Sequence, residues 1–338
     1  MIGRMDNFRW GLVGPGRIAH KFAEVATRLP GSSLTAVFGR DAERRDAFAR
    51  QWGARAWPTL DALLQPGALD AIYLATPHSE HAQLAARCLE AGIPVLCEKP
   101  LVATAAQAEA LVALARARRV FLMEALWTRF LPVYAQVGRW LREGAIGELH
   151  AVHSSFCFRA GYDPAGRLFN PALAGGALLD IGVYNVAMSR WAFEACHGHA
   201  PHTLHVHARG QLAPTGVDRR VHASLLFEHD VTVQFTCSLD SEAANAMHII
   251  GSAGSVVVPR MFWQGPQAEL WRDRGCVEQV RTEEGINGFE GQVQAAMDAI
   301  RSGRTECPGM TLDESLALAG TLDALRREMG VRYPFDVA

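Results

Sequence analysis

Lysine is almost missing from this chain: among 338 residues it occurs only as Lys21 and Lys99, against 31 arginines. Arginine serves wherever a charge or a solvated surface suffices, but it cannot surrender its proton in a protein, whereas a lysine pKa moves on burial. A lysine retained in such a composition is a candidate for chemistry that arginine cannot do, although a surviving lysine in an arginine-biased chain would look the same. Lys99 stands in the run Val95-Leu96-Cys97-Glu98-Lys99-Pro100. Lys21 falls early in an expected first helix, where solvent exposure is the ordinary explanation.

Other scarcities exclude whole classes. The seven cysteines (Cys88, Cys97, Cys157, Cys196, Cys237, Cys276, Cys307) show neither CxxC pairs nor zinc spacing, so no disulfide framework is implied and free thiols in a reducing cytoplasm are expected. A net charge of −2 is too balanced to suggest nucleic acid or an anionic membrane as the main partner. No apolar run reads as long enough to cross a bilayer. The start, Met1-Ile2-Gly3-Arg4-Met5-Asp6-Asn7, enters a strand pattern without the apolar core and cleavage site of a leader. Neither internal repeats nor low-complexity tracts are visible.

What is present is alternation. Strands expected at Phe8 to Val13, Leu34 to Phe38, Ala71 to Ala75, Pro94 to Cys97 and Val120 to Met123 are separated by helical stretches, the pattern of a doubly wound parallel sheet in an α/β protein. At the first strand-to-helix turn stands Gly14-Pro15-Gly16-Arg17-Ile18-Ala19. In a GxGxxA turn the first Gly allows the bend, the second lets backbone approach a pyrophosphate, and the Ala lets helix and strand pack closely. About twenty residues on, where a ribose is read, the chain offers Phe38-Gly39-Arg40-Asp41. A guanidinium at that tip favours NADP, with NAD still possible because Asp41 follows; Asp41 also suits the N-cap of the next helix.

Three marked segments follow strand ends, where ligands of such sheets collect: Ala75-Thr76-Pro77-His78-Ser79-Glu80-His81, Cys97-Glu98-Lys99-Pro100, and Glu124-Ala125-Leu126-Trp127-Thr128-Arg129-Phe130. Beyond residue 128, consecutive strands without intervening helices predict a second α/β domain over 129–338 with a large, mostly antiparallel sheet. Within it lies Gly175-Gly176-Ala177-Leu178-Leu179-Asp180-Ile181-Gly182-Val183-Tyr184, whose Asp180 and Tyr184 are one helical turn apart.

GxGxxA, TPHxxH, the Glu-Lys-Pro run, MEALWTRF and GGALLDIGVY together resemble, in that order, the glucose-fructose oxidoreductase, inositol dehydrogenase and MocA family, and within it the branch of dimeric dihydrodiol dehydrogenase and NADP-dependent D-xylose dehydrogenase. The resemblance implies an N-terminal Rossmann domain over 1–128, a C-terminal domain whose open sheet pairs two copies, and hydride transfer between NADP and a carbohydrate or cyclic polyol, an aldose or a trans-dihydrodiol. It implies catalysis by Lys99, Asp180 and Tyr184; this chain carries Tyr184 where inositol dehydrogenase-like members carry a His. Cofactor contacts are expected from Gly14, Gly16, Arg17, Ile18, Arg40, Thr76, His78, His81, Glu98, Lys99, Trp127 and Arg129, and substrate contacts from Trp127, Phe156, Arg167, Asp180 and Tyr184. The family commonly has a cis bond between the Lys and Pro.

The chemistry needs a base for the alcohol proton. A free phenol titrates near 10, so Tyr184 requires a neighbouring ammonium, the role expected of Lys99, with Asp180 orienting the pair. The His-rich stretch Cys196-His197-Gly198-His199 with His202, His205 and His207 lacks a completing thiol or carboxylate spacing, and no metal is expected. The competing reading is a non-catalytic NADP-binding regulator or scaffold. A short-chain dehydrogenase is disfavoured because no Tyr is followed four positions later by Lys.

Arg40→Ala should weaken NADPH binding by about tenfold, or about 1.4 kcal/mol, and leave NADH nearly unchanged, as read by nicotinamide fluorescence titration. Equal losses for both nucleotides would remove the NADP assignment.

Overall fold

A computed structural model of the chain describes residues 7–283 and 285–336; the expectation about a leader concerns residues 1–6, which lie outside the described residues. The chain divides into two compact units. Unit 1 holds residues up to Val102, then Ala106–Trp127 and Phe289–Leu316; unit 2 holds Ala103–Ala105, Thr128–Gly288 and residues from Ala317 onward. The main crossing from unit 1 into unit 2 lies at Trp127/Thr128, and Phe289–Leu316 returns to unit 1.

Unit 1 opens with β1 (Phe8–Val13), α1 (Arg17–Arg28), β2 (Ser32–Phe38), α2 (Ala42–Trp52), β3 (Arg55–Trp57), α3 (Leu60–Leu63), β4 (Ala71–Leu74), α4 (His78–Glu90), β5 (Val95–Glu98), α5 (Ala105–Arg118) and β6 (Leu122–Ala125). The strands pair in parallel in the order β3-β2-β1-β4-β5-β6, so the order reverses at β1 and β4. That reversal is where doubly wound sheets open a crevice at the strands' carboxyl ends. β4, β5 and β6 are buried throughout, as strands covered on both faces must be. Their core is aromatic: Phe22 of α1 stacks flat on Tyr73 of β4, with centroids 3.9 Å apart, and meets Trp10 of β1 edge-on at 5.3 Å.

Unit 2 contains α6 (Pro132–Arg142), β7 (Leu149–Cys157), a π-type turn at Leu178–Gly182 running into α7 (Val183–His197), β8 (Thr203–Leu212), β9 (Asp218–Phe227), β10 (Thr232–Ser238), β11 (Met247–Gly251), β12 (Ser255–Val258), β13 (Gln267–Arg272) and β14 (Gly275–Arg281). α8 (Glu290–Arg301) belongs to unit 1, and α9 (Leu312–Glu328) starts there and ends in unit 2. The eight strands run in the order β14-β13-β12-β11-β7-β10-β9-β8, antiparallel except for the neighbouring pair β7 and β10. β7 is parallel to β10 because α7 and two hairpins intervene between them. The second hairpin turns on His229 and Asp230, both at positive φ, the geometry of a tight turn between twisted strands.

Alternation sorts the sheet faces. Val152, Val233, Leu225, Ile249 and Val256 are buried on one face, toward α7 and α6, whereas His248, His153, Gln234, Ser224 and His207 lie in one cross-strand row on the other. The helical stretch 171–197 corrects the expectation that no run could span a bilayer: it is long and apolar enough by composition, but 89% of its apolar window is buried, so it is the core helix of unit 2. β3, β13 and β14 had no sequence signal. The β13–β14 turn bends at Asp273 and Arg274, both at positive φ, and β14 is largely exposed.

Candidate active site

The candidate residues form two groups, one on each unit. In unit 1 the fingerprint loop has the shape that its spacing requires. Gly14 has φ +93° and a Cβ there would lie 2.7 Å from the Ala75 carbonyl, so only glycine lets β1 turn this close to β4. A Cβ on Gly16 would meet nothing within 4 Å, leaving open space above the loop. Gly16 also starts α1 with no side-chain cap, so the first backbone N–H groups stay available to a phosphate. Arg17 and Ile18 are exposed on that first turn, and Thr76 Oγ1 is buried at the next strand end with no hydrogen-bond partner among the described residues. A dinucleotide pyrophosphate fits this cradle.

At the β2 tip, Asp41 accepts the Arg44 N–H at 3.0 Å and caps α2. The carboxylate that would have favoured NAD is thereby occupied. Arg40 beside it is exposed and pairs with Glu80 at 2.5 Å, a solvated contact that a 2′-phosphate can displace.

At the β5 end, Glu98 is buried and its Oε1 accepts the Tyr73 hydroxyl at 2.5 Å, while Oε2 faces the Lys99 N–H at 3.3 Å. Burial pushes this carboxyl above its usual range, against the pull of Tyr73, Lys99 and Lys21. Lys99 is half-buried and the Lys99–Pro100 bond is cis. The structure corrects the expectation for Lys21. Its ammonium is not a solvated surface group: it lies 3.9 Å from the Trp127 ring centroid and 5.0 Å from that of Phe289, with its pKa lowered by burial against the charges of Glu290, Glu98 and Glu24. Both lysines of the chain thus act on the same buried carboxylate.

His81 is wholly buried, with Nδ1 2.9 Å from the Pro100 carbonyl and Nε2 2.9 Å from that of Thr76. It ties two strand-end loops together, so its nitrogens serve the loops rather than facing a ligand. His78 opens α4 with its ring edge-on to His81. Glu124 of the MEALWTRF run is buried as well, accepting the Leu101 N–H at 2.9 Å and the Ser315 hydroxyl at 2.8 Å.

In unit 2, Asp180 and Tyr184 are both buried. Arg167 reaches in from an exposed loop and donates to Asp180 Oδ1 at 2.7 Å, so its charge holds the carboxylate as well as offering a hydroxyl contact. The Tyr184 ring lies 5.8 Å from Phe156, which stacks flat on Trp263 at 3.4 Å. Sequence reasoning missed Trp263; its only signal was an aromatic pair beside Gly265 in a loop. Arg129, expected at the cofactor, begins unit 2 and pairs with Glu194 of α7 at 2.5 Å. In the His-rich stretch, His197 stacks between Phe193 and His229 at 4.0 and 5.1 Å. Among the described residues, no group of three or more His, Cys, Asp or Glu is placed to hold a metal, and all seven cysteines are free.

Residues 8–126 match the oxidoreductase family, NAD-binding Rossmann fold, GFO_IDH_MocA, and residues 134–257 match the GFO/IDH/MocA C-terminal domain. The chain is similar to trans-1,2-dihydrobenzene-1,2-diol dehydrogenase of Mus musculus, 32% identical over 336 residues, covering 97% of this chain and 98% of that protein. Its structure is similar to that of a 3-ketoreductase from Actinomadura kijaniata in complex with NADP and TDP-benzene, with TM-score 0.83 and 28% identity over 96% of this chain and 98% of that one. An aldose-aldose oxidoreductase from Caulobacter crescentus shares the fold, with TM-score 0.82 and 24% identity over 95% and 97%.

Burial lowers the His81 pKa from 6.5. The unfolded chain takes up this proton near 6.5 while the folded chain resists it, so the residue's contribution is present above 6.5 and is lost as pH falls toward the lowered folded value. His81→Gln should therefore lose less Tm between pH 7 and pH 5 than the wild type does, by differential scanning fluorimetry. A variant with the same loss would contradict this origin.

Proposed function

Because this chain belongs to the GFO/IDH/MocA oxidoreductase family, we propose that it is an NADP-dependent dehydrogenase of secondary alcohols carried on rings, with trans-dihydrodiols as its preferred class and aldoses such as D-xylose or D-glucose as the second. Membership makes it an enzyme and sets aside the non-catalytic regulator. The observation that carries the substrate class is the aromatic floor beside the phenol: Phe156 lies next to Tyr184 and is backed by Trp263. A planar ring gains most from such a surface, and the apolar face of a pyranose gains less. The Arg167–Asp180 pair offers charged hydrogen bonds to a second, adjacent hydroxyl.

NADP suits the cradle because Arg40 stands at the β2 tip while Asp41 is committed to capping; when bound, its nicotinamide supplies the hydride acceptor. Tyr184 takes the hydroxyl proton as the carbinol C–H gives up its hydride, leaving a carbonyl, and then releases that proton to water. Lys99 supplies the positive charge that makes the phenol a usable base, and Asp180 fixes the phenol's orientation. Glu98 keeps Lys99 in place through its backbone and charge. A second copy of the chain covers the polar row His248, His153, Gln234, Ser224 and His207 on the open sheet face, and the free thiols suit a reducing cytoplasm.

Incubation with NADP and a panel of trans-dihydrodiols, pentoses and hexoses, followed at the reduced nicotinamide band, should give the highest kcat/KM with a dihydrodiol; faster turnover of an aldose would reverse the order of the two classes. Tyr184→Phe should lower kcat by at least ~100-fold with NADP affinity unchanged, and Lys99→Arg should not restore activity despite its charge. A fully active Lys99→Arg enzyme would refute the role given to lysine. Light scattering at micromolar concentration should give twice the chain mass, and His153→Glu with His248→Glu should convert it to the single mass; a monomeric wild type would exclude pairing through this face.

A further inference from the structure

The Asp180–Tyr184 segment starts at a point where three separate parts of unit 2 converge on Gly175 and Gly176. From the strand side comes Asp218, the first residue of β9, which is buried and accepts the Leu178 N–H on Oδ2 at 2.6 Å. The Ala177 N–H also faces this carboxyl. Gly176 has φ +123° and a Cβ there would lie 2.3 Å from Asp218 Oδ1, so the missing side chain is what admits the carboxylate. From the C-terminal segment comes Tyr333, buried, whose hydroxyl donates to the Gly175 carbonyl at 2.8 Å. From the preceding loop come Arg167 and Leu168, whose carbonyls would stand 2.9 and 2.8 Å from a Gly175 Cβ, and the Leu168 carbonyl accepts the Gly176 N–H at 2.9 Å.

The consequence reaches both functional side chains of this unit. Gly176 O accepts the Asp180 N–H at 3.2 Å, so the frame that holds the two glycines sets where Asp180 begins its turn, and Tyr184 follows one turn later. The same frame carries the loop of Arg167, the partner of Asp180. We propose that Asp218 is the positioning residue of the Asp180–Tyr184 segment, with Tyr333 as its second anchor. The proposal names a device behind the site described above, and so rests on the reading of Tyr184 as the proton carrier.

The anchor is built to respond to pH. Burial raises the Asp218 pKa to about 7 from 3.8, with the Leu178 and Ala177 N–H groups and the Arg326 charge opposing the rise. The groups facing it are Tyr333, whose phenol is itself raised by burial and by this carboxylate, and Cys237 on β10, raised likewise. Arg326 stands over the Tyr333 ring at 4.9 Å and is tied to Asp323 and Asp336, each at 2.5 Å. Opening the segment to water would return Asp218 to an ordinary carboxyl. Opening is therefore hardest while Asp218 is protonated and becomes easier as pH rises from about 4 to about 7, by up to tenfold per pH unit, with no further change above.

Hydrogen exchange by mass spectrometry on the full chain, corrected for intrinsic rates, tests this without relying on turnover. In the wild type, protection of peptides spanning 176–186 should fall between pH 5 and 7 and level off above. In Asp218→Asn, which keeps an acceptor for Leu178 but cannot ionise, that slope should vanish. Asp218→Ala and Tyr333→Phe should each expose 176–186 at least tenfold at pH 6, while unit 1 peptides and NADP affinity stay unchanged. With the best substrate, Asp218→Ala should lower kcat with little change in KM. A slope that persists in Asp218→Asn, or exchange in 176–186 of Asp218→Ala equal to wild type, would overturn the proposal. If exchange responds as expected and kcat does not, the anchor stands and the assignment of Tyr184 fails. Should Asp218→Ala not fold, the Asp218→Asn slope decides alone.

Discussion

A carboxylate taken out of water must be met by donors or it will take a proton, and this one requirement organises both functional edges of the protein. At Glu98 the donors are the Tyr73 phenol and the Lys99 N–H, and the charges are those of Lys99 and Lys21. Each contact recruits an element. Tyr73 belongs to β4 and lies flat on Phe22 of α1; Lys21 leaves the same helix one residue earlier and reaches Trp127 and Phe289. The sheet centre, the nucleotide-binding helix and both ends of the excursion into unit 2 are thus drawn to one buried oxygen pair. Unit 2 repeats the theme with Asp180 met by Arg167 and Asp218 met by the backbone of the segment that carries Asp180.

Periodicity and turn chemistry made much of this legible. GxGxxA placed the phosphate cradle: glycine at Gly14 is demanded by backbone contact, whereas at Gly16 the fold itself leaves room for a side chain, and its absence keeps the loop open to a phosphate. The strand-end segments were legible because parallel sheets collect function at one edge. Illegible were the features that depend on long-range neighbours. Lys21 looks solvated from its helix alone, and only the return of Phe289 covers it. His81 reads as a loop ligand until Pro100 and Thr76 close over both nitrogens. Asp218 has the sequence context of an ordinary strand start, and its meaning lies in Gly176, 42 residues earlier. β13 and β14 escaped because β14 is exposed along most of its length, so the hairpin's outer strand shows no buried alternation.

The long apolar stretch 171–197 shows how composition and context divide the work. Its hydropathy alone passes the test for a bilayer span, yet Asn185 donates to Ser154 of β7 at 2.8 Å and Arg190 is buried near Pro201 and Thr203, polar commitments to the rest of unit 2. A helix buried on nearly every side needs apolar residues all round, and this one spends its few polar positions on anchoring and on Asp180 and Tyr184.

The return of Phe289–Leu316 to unit 1 also bears on how the protein comes into being. Arg301 donates to the Gly31 carbonyl at 2.9 Å and the Leu122 N–H reaches the Thr305 carbonyl at 3.2 Å, so the first-made sheet is finished by segments made near the end. At ordinary translation speeds the ribosome spends ~10 s or more on the intervening stretch, during which the parallel sheet is exported without α8, and Lys21 without its second aromatic face. The nucleotide-binding unit is begun first and closed only after most of unit 2 has been made. A nascent chain stalled inside unit 2 carries the whole fingerprint but only part of the body that supports it.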